Sequence, residues 1–283
     1  MPKIDNTVLL TVHNKVDTIS TILECLLNTI SPLTTKILIV DDGSNDGSSE
    51  ILKNFCESHH IASYHYLSDV WEVRANHYGL SLVTTKFATI LQDDMMLMEQ
   101  NWDKVLIDTA MKKNAFTVSG RTGHDVSFFD GNLYFFNHIG REYPWGSSFI
   151  GKSVAKVLSK LPDHFRWLLS VKLSRLIGAR SRQVVNRGPL LVDLHQYNTL
   201  GGLDLTFAPF ELDDVDLCIR AEKEVFGGNF VVPVYYVEVN GSKKTSSNSA
   251  YVSAKSIIKN KKIIIEKHSD YLEIARKHNK YNV

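Results

Sequence analysis

The chain has 283 residues, 43% of them apolar, with 32 Lys and Arg against 31 Asp and Glu. That is enough for a sizeable core in one large domain or two small ones, and its longest apolar runs fall well short of a membrane span, so a globular, soluble protein is expected. The opening MPKIDNTVLL lacks the pattern of a signal peptide, and Cys25, Cys56 and Cys218 form neither a CxxC pair nor a disulfide framework, which fits a reducing cytoplasm.

Residues 6–12 (NTVLLTV) are predicted to form a buried strand. Apolar residues at 19, 22, 23, 26, 27 and 30 put a helical face on 16–29, and Ser31-Pro32 stops it. A second strand at 36–41 leads to a helix at 48–57 with Asp46 or Ser48 as N-cap. A strand at 62–67, a helix at 72–83 and a strand at 86–92 follow. Strand and helix alternate through short connections, the signature of a parallel sheet with helices on both faces. Beyond residue 100 the pattern loosens. A helix is expected at 101–113 and a strand at 115–119. Loops with short strands follow over 120–151, then two helices broken at Pro162 over 152–178. Strand, helix and strand are expected at 189–194, 213–226 and 230–239. A polar loop fills 240–249, and 250–280 is mostly helix.

The near-neutral total conceals alternating blocks. Residues 1–151 hold 11 Lys/Arg and 18 Asp/Glu, residues 152–187 hold 9 and 1, residues 188–242 hold 2 and 9, and residues 243–283 hold 10 and 3. Acidic blocks suit a metal site; basic blocks suit phosphates or an anionic membrane surface. Ligands of open parallel sheets bind at the carboxyl ends of the strands. Asp41-Asp42 end the second strand and Asp93-Asp94 the fourth, so four carboxylates gather on one edge. Such crowding needs an offsetting cation or hydrogen-bond donors, and oxygen-only ligands favour Mg²⁺ or Mn²⁺. The competing reading makes Asp41, Asp42, Gly43, Asp46 and Gly47 plain turn and cap residues. Asp213, Asp214 and Asp216 likewise share a first helical turn, where the helix dipole alone favours negative charge.

Five segments in order, VLLTVHN, ILIVDDGSNDGS, VRANHYGL, ATILQDDMML and GGLDLTFAPFELDDVDLCIRA, resemble a family 2 glycosyltransferase of the GT-A fold over residues 6–226. The resemblance implies an α/β GT-A-like catalytic domain over 1–242. Its nucleotide-binding half is 1–100, and its acceptor half, 101–242, includes a basic helical insertion near 152–180. A basic helical extension, 243–283, follows. The resemblance puts Thr11 in the nucleotide pocket, Asp42 on the base, Arg74 beside base and diphosphate, and Asp93 and Asp94 in the DxD-type motif, with Asp94 holding Mn²⁺ or Mg²⁺. Asp213-Asp214 match the pair that supplies the catalytic base, with Asp214 preferred. The implied reaction is inverting transfer from a nucleotide-diphosphate sugar, UDP or dTDP favoured, to a hydroxyl of a glycan or lipid-linked glycan. Such an enzyme builds a bacterial-type surface polysaccharide from the cytoplasmic side. The chain departs from many relatives at Gln92, where they are acidic, at Asp213, where they carry Glu, and at Glu238 and Asn240, near which they carry a metal-binding His. These departures keep open a non-catalytic relative that binds nucleotide sugar or acts as a scaffold.

A third reading comes from GSSFIGKS at 146–153, which fits GxxxxGK[ST] and allows a P-loop hydrolase or kinase. It follows REYPW rather than a strand, and the aspartate-ended strands come before it, so a glycine-jointed loop is favoured. The basic amphipathic pair over 152–178 suits either a peripheral contact with the inner face of a membrane or a helical insertion with a solvated basic face. Arg180, Arg182 and Arg187 extend that block toward the acceptor cleft. Nothing specifies base readout of nucleic acid.

Overall fold

The structure, a computed structural model, describes residues 4–129, 131–139, 178–224, 226–239 and 247–273, together with positions 165, 169, 171, 172 and 176. The GSSFIGKS segment and nearly all of the 152–178 helical pair lie outside the described residues.

The first hundred residues build the frame. Strand β1 (Asn6–Val12) lies parallel to β2 (Thr35–Asp42) on one side and β4 (Phe87–Gln92) on the other, and β3 (Ala62–Leu67) pairs in parallel outside β2. Chain order therefore reverses beside β1, which opens a crevice at the carboxyl ends of β1 and β4. Helices α1 (Ile19–Thr29), α2 (Ser48–Ser58) and α3 (Glu72–Leu82) make the crossovers. Both faces of β1 are covered. Leu9 joins a core cluster with Leu38, Val40 and Ile90, while Val8 and Leu10 join another with Ile37, Ile39 and Leu91. Burial on both faces is why these strands read as continuous apolar runs rather than alternating ones. Val8, Leu9, Leu10 and Val12 are fully buried, each contributing about 1.5–3 kcal/mol of transfer free energy.

The second half continues the sheet in a different sense. It runs β3-β2-β1-β4-β11-β6-β12-β9, with β11 (Leu190–Asp193) antiparallel to both β4 and β6 (Thr117–Ser119), and β12 (Asn229–Val231) parallel to β6. Strand β9 (Arg180–Arg182) closes that end antiparallel to β12, and the short helix α5 (Leu194–Thr199) follows β11. Two reversals make β6 parallel to β4, so both present their carboxyl ends at the same edge. Helix α4 (Trp102–Lys113) buries Trp102, whose indole N–H donates to Thr29 Oγ1 at 3.3 Å. The mostly parallel central sheet flanked by helices is the expected GT-A arrangement.

The differences from the sequence reading have local causes. Helix α1 starts at Ile19 rather than 16 because the preceding segment is tied to the turn after β2. Lys15 N–H donates to Ser48 Oγ at 2.8 Å, and Val16 N–H donates to Asp46 Oδ2 at 3.1 Å. Residues 123–139, expected as loops with short strands, form a hairpin of β7 (Gly123–Phe129) and β8 (Asn132–Ile139), with β10 (Val184–Val185) beside it. The strand expected at 230–239 divides at Pro233. Its first part is β12, and its second, β13 (Tyr236–Glu238), pairs with β5 (Met95–Leu97) in a separate ribbon.

Helix α7 spans Ser247–Lys267. It packs against α6 (Asp213–Lys223) and the loop before it. The carboxylate of Asp216 in α6, fully buried, meets His268 Nε2 at 2.8 Å, Lys267 Nζ at 2.8 Å and Arg220 Nε at 2.7 Å. Burial opposes its charge, but His268, Arg220 and Lys267 outweigh burial and hold the carboxyl below its ordinary value. The stabilisation is therefore present above the unfolded value near 3.8 and is lost as pH falls through the lower native value. We expect Asp216→Asn to lower unfolding free energy by about 3 kcal/mol in urea at pH 7, with the gap from wild type narrowing below pH 3.8. An unchanged urea midpoint at pH 7 would show that the pairing contributes nothing.

Candidate active site

The turn after β2 accounts for the paired aspartates there. Asp41 faces inward and serves the fold: it accepts Ser44 N–H at 3.0 Å, the Tyr64 hydroxyl at 2.8 Å, and the Ser49 hydroxyl. Asp46 accepts Ser48 N–H at 3.0 Å in the turn before α2, whose N-cap is Gly47 with φ +103° rather than the expected Asp46 or Ser48. Asp42 points the other way. Its two oxygens accept the N–H groups of Val70 and Trp71 at 2.7 and 2.8 Å and so fix the loop entering α3. Burial raises the Asp42 carboxyl above its ordinary value, with those two N–H groups acting against the rise. The turn reading thus describes Asp41 and Asp46, while Asp42 clips the sheet edge to a second element of the crevice.

That second element carries a group the sequence reading passed over. Trp71 adopts φ +73°, a costly conformation for a large side chain, and its ring meets Phe210 edge-on at 5.1 Å. The next residue, Glu72, lies 3.5 Å from Arg187. Burial raises the Glu72 carboxyl; Arg187 pulls it back, and the charges of Glu211, Asp93 and Asp214 add to the rise. Arg187 thereby joins the start of α3 to the start of α6. Glu72 has the local pattern of an ordinary first-turn helix charge, and its position two residues before Arg74 is the one sequence signal that could have found it. Arg74 itself is exposed on the same first turn. Thr11, at the end of β1, donates its hydroxyl to Asn76 Oδ1 at 2.7 Å on α3.

Arg187 organises the opposite wall. It is 7% exposed, with Nη1 3.0 Å from Asp213 Oδ2 and Nη2 2.9 Å from Asp213 Oδ1. Burial opposes the guanidinium's charge, yet Asp213 and Glu72 together raise its pKa above the ordinary value. Burial likewise pushes the Asp213 carboxyl up, against the pull of Arg187. Expected to continue a basic face toward the acceptor cleft, Arg187 is instead an interior counter-ion. Asp214 accepts Arg187 N–H at 3.2 Å and Val215 N–H at 2.9 Å, and it is 8% exposed where Asp213 is 0%. Glu211 and Leu212, immediately before the pair, have φ of +76° and +66°. The side-chain amide of Asn260 on α7 holds this loop, reaching the carbonyls of Phe207, Phe210 and Glu211 at 2.8, 2.6 and 2.8 Å.

The β4 end splits its two aspartates. Asp93 accepts His13 N–H at 3.2 Å and pairs with Lys15 at 3.2 Å. Burial raises its carboxyl, and Lys15 draws it back. Asp94 is held by its backbone, whose carbonyl accepts Val239 N–H at 2.6 Å, and its Oδ1 is buried without a hydrogen-bond partner. Among the described residues no three His, Cys, Asp or Glu side chains form a ready cage for a metal. One unpartnered carboxylate oxygen does fit a Mg²⁺-type ion, which takes few protein ligands and completes its shell with water and substrate phosphates. No helix among the described residues is long and apolar enough to cross a membrane.

The comparisons with known proteins agree with this arrangement. A family model described as glycosyl transferase family 2 matches residues 7–173, more than half of the chain. Glycosyltransferase GlyG of Streptococcus pneumoniae serotype 4 (strain ATCC BAA-334 / TIGR4) is 31% identical over 103 residues, 36% of this chain and 33% of that protein. The match thus spans about a third of that relative's length. With the fold, the acidic sheet edge and the family match in agreement, the chain carries a glycosyltransferase domain and belongs to glycosyl transferase family 2.

Proposed function

We propose that this protein moves a sugar from a nucleotide-diphosphate sugar, with UDP or dTDP as the nucleotide, to a hydroxyl of a glycan or lipid-linked glycan, with inversion at the anomeric carbon. The observation that carries the reading is that Arg187 joins the start of α3 to the start of α6: its guanidinium lies 3.5 Å from Glu72 and 2.9 Å from Asp213, and its backbone N–H binds Asp214. In the reaction the acceptor oxygen bonds to the anomeric carbon as that carbon's bond to the diphosphate oxygen breaks. The acceptor proton passes to Asp214, and the nucleoside diphosphate leaves. Asp214 is preferred to Asp213 because Asp213 is sealed against Arg187, while part of Asp214 reaches solvent. Asp213, through Arg187, holds the backbone N–H that orients Asp214.

To the donor side we assign Thr11, Asp42, Arg74 and Asp93. Each Asp42 oxygen accepts one backbone N–H and retains a second lone pair for a nucleobase. Mn²⁺ or Mg²⁺ held by Asp94 would offset the charge that develops on the departing diphosphate. We assign residues 1–100 chiefly to the nucleotide and 101–242 chiefly to the acceptor, with 243–283 as a supporting extension. The setting is the cytoplasmic face of a membrane, in the synthesis of a surface polysaccharide.

Asp214→Asn is expected to lower kcat by 10²-fold or more, roughly what a positioned base supplies. Donor affinity by titration calorimetry should stay within about twofold of wild type; transfer at the wild-type rate would remove Asp214 as base. In thermal-shift assays over a panel of nucleotide sugars, one donor should raise Tm further with Mn²⁺ or Mg²⁺ than with EDTA. Asp94→Ala should abolish that metal-dependent increment alone. Stabilisation by ATP with Mg²⁺ and by no nucleotide sugar would overturn the reading in favour of the P-loop.

A further inference from the structure

Arg121 lies two residues beyond the carboxyl end of β6, on the same edge as the ends of β1 and β4. Its Nη1 donates to Gln92 Oε1 at 3.1 Å, and its Nη2 pairs with Glu238 Oε1 at 3.1 Å. Gln92 immediately precedes Asp93-Asp94. Glu238 is opposite Met95 in the β5–β13 ribbon and precedes Val239, whose N–H binds the Asp94 carbonyl. The guanidinium is thus fastened at two points flanking Asp94. Those points, Gln92 and Glu238, are also two of the positions at which the sequence departs from the pattern it resembles.

The fastening is built into the backbone. Gly188 has φ +82°, and a Cβ there would fall 2.6 Å from Gln92 Oε1 and 2.5 Å from Met95 Sδ. A side chain at 188 would displace the Gln92 amide from where it receives Arg121. The amide is neutral, so it orients the guanidinium without cancelling its charge. Ser119 Oγ accepts Arg121 N–H at 3.0 Å and fixes the root of the side chain.

Two other cations described near this edge are engaged by carboxylates, while Arg74 stays exposed on the first turn of α3. Arg187 is 7% exposed and bound to Asp213, and Lys15 is paired with Asp93. Arg121 keeps a third of its side chain in solvent and has two of its five N–H groups in the bonds given above. A planar fork of this kind suits phosphate oxygens. A nucleoside diphosphate entering an edge lined by Glu72, Asp93, Asp94, Glu211 and Asp214 needs positive charge close to the phosphates.

We propose that Arg121 is a diphosphate-binding residue, held by Gln92 and Glu238 so that its free N–H groups meet the β-phosphate of the donor and of the departing nucleoside diphosphate. This rests on the proposed use of a nucleotide-diphosphate donor. Glu238 tempers the site by sharing the guanidinium.

The test is calorimetric binding of a nucleoside diphosphate and its monophosphate (UDP and UMP, dTDP and dTMP) to wild type, Arg121→Gln, Arg121→Lys and Glu238→Gln, each in EDTA and in Mn²⁺. Arg121→Gln should weaken the diphosphate about tenfold in EDTA and leave the monophosphate within about twofold. Arg121→Lys should recover part of the loss, and Glu238→Gln should tighten the diphosphate several-fold. Equal weakening of mono- and diphosphate by Arg121→Gln would show a structural brace and overturn the proposal, as would unchanged diphosphate affinity. If Arg121→Gln does not fold, Glu238→Gln decides: tighter diphosphate binding supports the role, and unaltered binding refutes it. If wild type binds no nucleoside diphosphate, the donor reading itself fails and this proposal with it. Wild-type binding that Arg121→Gln leaves intact removes the proposal alone.

Discussion

The ion pair between Arg187 and Asp213 is the interaction on which the acidic crevice depends. Carboxylates brought together at a sheet edge repel one another, and burial strengthens the repulsion by removing water. A buried guanidinium aligned with Asp213 and within 3.5 Å of Glu72 offsets that repulsion where it is greatest. The same residue's backbone N–H binds Asp214, so neutralising one carboxylate and orienting the next are a single structural act. The pair is costly to desolvate, and its value lies less in net stability than in holding one arrangement of charges.

Around that pair the elements are fastened crosswise. Asp42 ties the end of β2 to the start of α3, Thr11 ties β1 to the same helix through Asn76, and Trp71 rests against Phe210 in the loop before α6. From the far side, Asn260 reaches three carbonyls of that loop while His268 and Lys267 grip Asp216 on α6. Helix α7 therefore braces the segment that presents Asp214. The left-handed conformations at Glu211 and Leu212 persist because both flanks are held. Strain next to a proposed base is consistent with a loop shaped for position rather than for its own stability.

The frame was legible wherever one local rule prevailed. Strands β1, β2 and β4 are buried on both faces and therefore read as unbroken apolar runs, and the short βα connections left little freedom in topology. The carboxylates at strand ends were visible for the same reason, since strand ends and ligand crevices coincide in such sheets. Residues 120–139 were harder, because Gly and aromatics can make either loops or an edge hairpin, and pairing with β10 decided the matter.

Sequence alone determined the order of elements over the first hundred residues, the acidic sheet edge and the family resemblance, because these follow from periodicity and from residues near one another in the chain. Tertiary structure alone decided which charges meet. Glu72 and Arg187 are 115 positions apart, and Arg121 and Glu238 are 117 apart. Neither pairing has a local signature. It also sorted like residues into unlike roles: Asp41 into the turn, Asp42 into a clip between elements, Asp213 into an ion pair and Asp216 into the anchor of α7. An aspartate's function depends on the donors that surround it, and those donors are assembled only when distant segments pack.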